Sequence, residues 1–149
     1  MLSNMKLQRM DNVGIVVEDL AATIAFFGAL GLELEGETTV EGPWVDQVLG
    51  LSNVRADIAM MRTPDGHSRL ELSRFHNPKA ISAGPQSPSP NTLGIGRMMF
   101  AVEDIEDALT RLRAHGAEPV GELTQYENKY RLCYVRGPEG ILIALAEKL

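Results

Sequence analysis

An α+β fold made of two paired β-α-β-β-β modules is what the chain predicts, and three observations carry that prediction. The 149 residues, 44% of them apolar, suit one domain with a sizeable core. The segment Asn12 to Glu37 aligns without a gap on Arg97 to Glu122. The two share Val17/Val102, Glu18/Glu103, Asp19/Asp104, Ala29/Ala114, Gly31/Gly116, Glu33/Glu118, Gly36/Gly121 and Glu37/Glu122, so one structural unit is present twice. Each copy also ends in a strand, Pro-acid-Gly turn, strand pattern, "ADIAMMRTPDGHSRLELSRF" and "YRLCYVRGPEGILIALAEKL".

Taken in order, each module opens on a short apolar strand, Val13 to Val17 and Met98 to Val102. Asp19 and Asp104 then stand where an N-cap belongs, offering an acceptor to the unpaired N–H groups of a first helical turn. Leu20, Ile24 and Phe27 recur at helical spacing, as do Ile105, Ala108, Leu109 and Leu112. Gly31 and Gly116 stop the helices, because glycine adopts positive φ at no steric cost. Second strands follow, about Leu32 to Thr38 and Ala117 to Thr124, and then the hairpins. One helix covers one face of four strands. The modules are therefore expected to form a curved, mostly antiparallel sheet with outer helices, leaving one concave face open in the chain or across a dimer.

The modules span about residues 10–75 and 93–149. Between them, residues 76–92 hold Pro78, Pro85, Pro88 and Pro90 among Ser and Gly, and read as a linker or flap. Val40 to Asn53 interrupts the plan. Its Trp44, Val45, Val48 and Leu49 suggest a short amphipathic helix that either pads the core or rims the cleft.

Composition narrows the function. A net charge of −6 with scattered basic residues disfavours nucleic acid. No apolar run is long enough for a membrane span. "MLSNMKLQRM" shows no signal-peptide pattern, and the lone Cys133, in an apolar strand, reads as a buried inert thiol. A cytoplasmic setting is expected.

Strand alternation sorts the side chains. Val13, Ile15, Val17, Met98, Phe100 and Val102 should pack on the helices. Asn12, Arg69, Glu71, Ser73, Arg97, Met99, Leu142 and Ala144 should line the concave face, with Glu71 and Arg97 in strand middles. His67, after the turn glycine, is a weaker candidate base. Tyr126, Tyr130 and Tyr134 either line the cleft mouth or are ordinary strand aromatics.

The doubled V-E-D-helix-G unit, "RGPEGILIALAE" and "TPDGHSRLELSRF" resemble the vicinal oxygen chelate superfamily, the glyoxalase, bleomycin-resistance protein and extradiol dioxygenase group. The resemblance implies a cleft between paired modules, commonly completed by a homodimer. In metal-using members four cleft positions hold a divalent ion, and here they map to Asn12, Glu71, Arg97 and Ala144. Only Glu71 keeps a suitable ligand, and an arginine beside a divalent cation repels it. The expectation is a small-molecule-binding protein without a metal. In it Arg97 pairs with Glu71, and a partly apolar, anionic or carbonyl-bearing ligand meets Asn12, Arg69, Met99, Leu142, Ala144 and Trp44. If the protein is an enzyme, Glu71 and Arg97 are the catalytic pair. The alternative is a lyase, isomerase or dioxygenase of the glyoxalase type, using one divalent metal ion on a vicinal-oxygen substrate.

Overall fold

The computed structural model describes residues 6–84 and 87–149. The extreme N-terminus and Pro85 of the linker lie outside the described residues. The order is β1 (Val13–Val16), α1 (Leu20–Leu30), β2 (Glu33–Glu41), α2 (Pro43–Leu49), β3 (Arg55–Arg62) and β4 (Arg69–Asn77). The second module follows with β5 (Met98–Ala101), α3 (Ile105–Ala114), β6 (Glu118–Tyr126), β7 (Tyr130–Arg136) and β8 (Leu142–Lys148).

Each module folds as its local chemistry dictates. Asp19 accepts a hydrogen bond from the Ala22 N–H at 2.9 Å, and Asp104 accepts one from Asp107 at 3.1 Å, satisfying donors that the first turn of a helix leaves free. Gly31, at φ 124°, closes α1 by donating to the Phe27 carbonyl at 3.1 Å. In α3 the buried residues are Ile105, Ala108, Leu109 and Leu112, the stripe the spacing predicts.

The four strands of each module make their own mixed sheet, ordered β1-β4-β3-β2 and β5-β8-β7-β6. The first strand runs parallel to the last, and the remaining pairings are antiparallel. No ladder joins the two sheets among the described residues, and the paired modules are coupled through side chains. The helices account for this. α1 and α3 pack on each other, and the helix-side faces of both sheets feed one core. Ile15, Phe26, Phe27, Leu30, Met61 and Leu72 join Ile105, Leu109, Leu112, Val135, Ile143 and Leu145 in that core. The Phe27 and Phe100 rings meet across the modules with centroids 6.4 Å apart.

Two boundaries differ from the sequence reading. Strand β4 continues through His76 to Asn77, held by a 2.7 Å contact between His76 Nε2 and Asp57 Oδ2, so the linker starts after residue 77. Strands β1 and β5 begin at Val13 and Met98, which leaves Asn12 and Arg97 one residue before their strands rather than within them. Alternation is unaffected, because the lead-in residue keeps the parity of its strand.

Candidate functional site

The register confirms which residues share the faces turned away from the helices. In the first module Gly14 stands opposite Glu71, Val16 opposite Ser73, and Glu71 opposite Met60. In the second, Met99 stands opposite Ala144, and Ala144 opposite Tyr134. Val16 and Met99 are each 50% exposed, whereas Ile15 and Val17 beside Val16 are buried and Met98 and Phe100 beside Met99 are half-buried. Each module therefore presents an open face with apolar side chains on it.

On the first face the cations are already committed. Arg69 donates from Nε and Nη2 to Glu35 at 2.9 and 3.0 Å, a bidentate pair. The Glu35 carboxyl is held below its ordinary range, first by that hydrogen bond and then by the Arg69 charge. Arg62 lies 3.7 Å from Glu33. Glu71, half-buried, has no cationic partner among the described residues. Asn12 is exposed on the lead-in to β1.

On the second face Arg97 is exposed, and its guanidinium carbon lies 5.7 Å from the centroid of the Tyr134 ring. That is a cation–π contact. Leu142 and Ala144 form a buried apolar floor, 4% and 0% exposed. Arg97 has no carboxylate partner among the described residues. Within one chain, Arg97 and Glu71 make no ion pair.

Asn12, Arg69, Arg97 and Met99 do meet around one groove of about 1450 Å³, where β1 and the β3–β4 turn approach β5 and α3. Glu71, Leu142, Ala144 and Trp44 do not line it. Trp44 projects from α2 and is 59% exposed, as is Val48 at 74%, while only Val45 of that helix is buried. Core padding is therefore confined to Val45, and no residue of this helix borders the groove. His67 is exposed in the turn, its backbone N–H donating to Asp65 Oδ1 at 3.0 Å. Cys133 is buried, and burial pushes its thiol pKa up, away from nucleophilic chemistry. Tyr134 is the functional candidate that pattern reading left undecided. Its pairing opposite Ala144 puts it on the open face, and its contact with Arg97 depends on three strands in register.

The four positions at which the family resemblance puts a metal supply one exposed amide, one carboxylate, one guanidinium and one methyl group. That donor set does not suit a divalent cation, which takes several oxygen or nitrogen ligands. Among the described residues no group of three or more His, Cys, Asp or Glu side chains converges as a metal site. None of the described helices is long and apolar enough to cross a membrane.

Two β-α-β-β-β modules, each a mixed four-stranded sheet with one open face, define the class of fold. The chain belongs to the Glyoxalase/Bleomycin resistance protein/Dioxygenase superfamily, whose model matches residues 9–145. It is similar to a glyoxalase family protein from Bacillus cereus, with 58% identity, a TM-score of 0.93, and coverage of 99% of this chain and 98% of that one. The fold is also that of the trypanothione-dependent glyoxalase I of Leishmania major (18% identity, TM-score 0.64, 95% and 87% covered). A genomically encoded fosfomycin resistance protein from Listeria monocytogenes is comparable in fold, at 13% identity and TM-score 0.61, with 96% and 93% covered.

Proposed function

We propose that this protein binds a small, partly apolar anion without a divalent metal, in a cleft that two copies of the chain complete. The observation that carries the reading is Arg97. It is a permanent cation on an open face, set against an aromatic ring and beside Met99, with no carboxylate partner among the described residues. A charged group left in water beside apolar surface is poised to exchange hydration for a ligand oxyanion, while the ligand's body covers the apolar atoms.

The arrangement of the modules supports the second copy. Their helix sides are consumed by the shared core, so the faces bearing Glu71 and Arg97 are both left open. Joining the first module's face of one chain to the second module's face of its partner would bring an unpaired carboxylate toward an unpaired guanidinium. It would also cover Val16 and Met99. Glu71 then serves as the counter-charge that orients Arg97, and as a hydrogen-bond acceptor for a ligand hydroxyl. In a catalysed reaction it would be the group available to move a proton, although pairing with arginine makes a carboxylate a poorer base.

The test is calorimetric titration of benzoate into the wild type and Arg97→Met. Loss of a charge-assisted contact is expected to weaken binding about tenfold or more, and unchanged affinity would overturn the anion-anchor reading. Metal analysis of tag-free protein is expected to find far less than one equivalent per chain. A stoichiometric divalent ion would instead favour metal-assisted chemistry. Sedimentation equilibrium is expected to give twice the chain mass, and a monomer at all concentrations would remove the shared cleft.

A further inference from the structure

We infer that Arg136 is a second anion-binding residue on the Arg97 face, and that the pair selects an oxyacid carrying two negative charges. This rests on the reading of Arg97 as an anion anchor and extends it to the class of ligand. The placement follows from register. Arg136 stands opposite Leu142 across β7 and β8, and Met98 stands opposite Ile143 across β5 and β8. One residue upstream in that parallel pairing, Arg97 is level with Leu142. Arg97, Leu142 and Arg136 thus form one row across three strands, all on the open face. The next row is Met99, Ala144 and Tyr134.

With strands about 4.8 Å apart, the two arginine Cα atoms are separated by roughly 10 Å. Both side chains can reach a group seated over Leu142. The Arg97 side chain already leans across the sheet, with its guanidinium over Tyr134 on β7. Arg136 is half-buried and spends one N–H on the Gly140 carbonyl, 3.2 Å from Nη1, which fixes the stem and leaves its other donors uncommitted among the described residues. Neither arginine is within ion-pair distance of a carboxylate among those residues. Glu118, opposite Arg136 on the edge strand β6, is exposed and forms no such pair.

Two like charges flanking a buried leucine repel each other, and that cost is relieved when an anion sits between them. A single carboxylate satisfies one guanidinium bidentately. Two guanidiniums are matched by a headgroup of the phosphonate type or by two adjacent carboxylates. Met99 and Tyr134, in the adjoining row, meet the apolar body of such a ligand.

The experiment compares benzoate, phenylphosphonate and phthalate by calorimetry in mildly alkaline buffer, where the last two are doubly charged. The variants are Arg136→Gln, Arg136→Lys and Arg97→Met. The wild type is expected to prefer a doubly charged probe over benzoate about tenfold. A preference for phenylphosphonate would identify one headgroup, and a preference for phthalate two carboxylates. In Arg136→Gln that preference should vanish while benzoate affinity is kept. Arg136→Lys should retain part of it, because the charge stays and the planar fork is lost. A wild type without preference, or an Arg136→Gln protein that keeps it, overturns the inference. So does loss of all three probes alike in both Arg136 variants, which would mark a structural arginine. If instead Arg97→Met leaves benzoate binding untouched, or none of the probes binds the wild type, the underlying anion-anchor reading falls as well.

Discussion

Asp57 shows how a single side chain makes stability depend on pH. The hydrogen bond from His76 first, and that from Thr39 next, hold its carboxyl below the ordinary range. A carboxylate with a lowered pKa in the folded state stabilises the protein above the unfolded value, and that contribution disappears as pH falls through the folded one. The wild type is therefore expected to lose stability as pH drops below about 4. Asp57→Asn, which cannot titrate, should show a flatter acid limb in chemical denaturation; parallel curves would exclude the role. Gly137 gives a prediction of packing rather than charge. A Cβ there would lie 3.0 Å from Phe26 Cζ and 3.3 Å from Ile143 Cγ1, and both neighbours belong to the core. Gly137→Ala is expected to cost about 1–3 kcal/mol as overpacking, read as a lowered denaturation midpoint. At this scale the parity of Glu71, Arg97 and Met99 was legible, because alternation requires only local sequence. The partner of Arg97 was not, because an arginine that can face a carboxylate or an aromatic ring is decided by strands distant in the chain.

The elements were legible wherever one residue decides a backbone conformation. Asp104 caps α3, and Asp104→Ala is expected to cost about 1 kcal/mol by freeing the Asp107 N–H. Rescue by Asp104→Ser and failure of rescue by Asp104→Val would separate capping from charge. The turn glycines Gly66 and Gly140 adopt φ 76° and 73°, which the Pro-acid-Gly patterns foretold. What the pattern did not reveal are the register shifts between Leu34 and Gly36 and between Val120 and Thr124. They fall at the repeated Gly36 and Gly121, but a bulge depends on how the partner strand pairs, not on the glycine alone. α2 was legible as a helix and ambiguous in its packing. Seven residues bearing Trp44, Val45, Val48 and Leu49 are apolar on more than one side, so periodicity could not say that Val45 alone would be buried.

At the scale of the molecule, the repeat announced two modules but not their mode of joining. A helix rich in apolar residues, such as α1 with Phe26 and Phe27 both buried, must be covered, and its sequence does not name the cover. In this fold the cover is shared: α1 packs on β2, β3 and β4 of its own module and on α3 of the other. Phe27 meets Phe100, Phe26 lies against the backbone at Gly137, and the Glu18 N–H donates to Glu139 Oε2 at 3.1 Å. Separating the modules would expose the core of both, so they are expected to unfold as one cooperative unit. The chain carries its own probes for this. Its one tryptophan, Trp44, reports on the first module, and its three tyrosines, Tyr126, Tyr130 and Tyr134, all lie in the second. Urea denaturation followed by tryptophan fluorescence and by tyrosine near-ultraviolet dichroism should give coincident midpoints. Phe27→Ala, truncating a fully buried ring, should lower both together by the equivalent of about 3–5 kcal/mol. If the tryptophan signal shifted while the tyrosine signal stayed in place, the modules would be independent folding units. The shared core would then not be what holds the open faces in position.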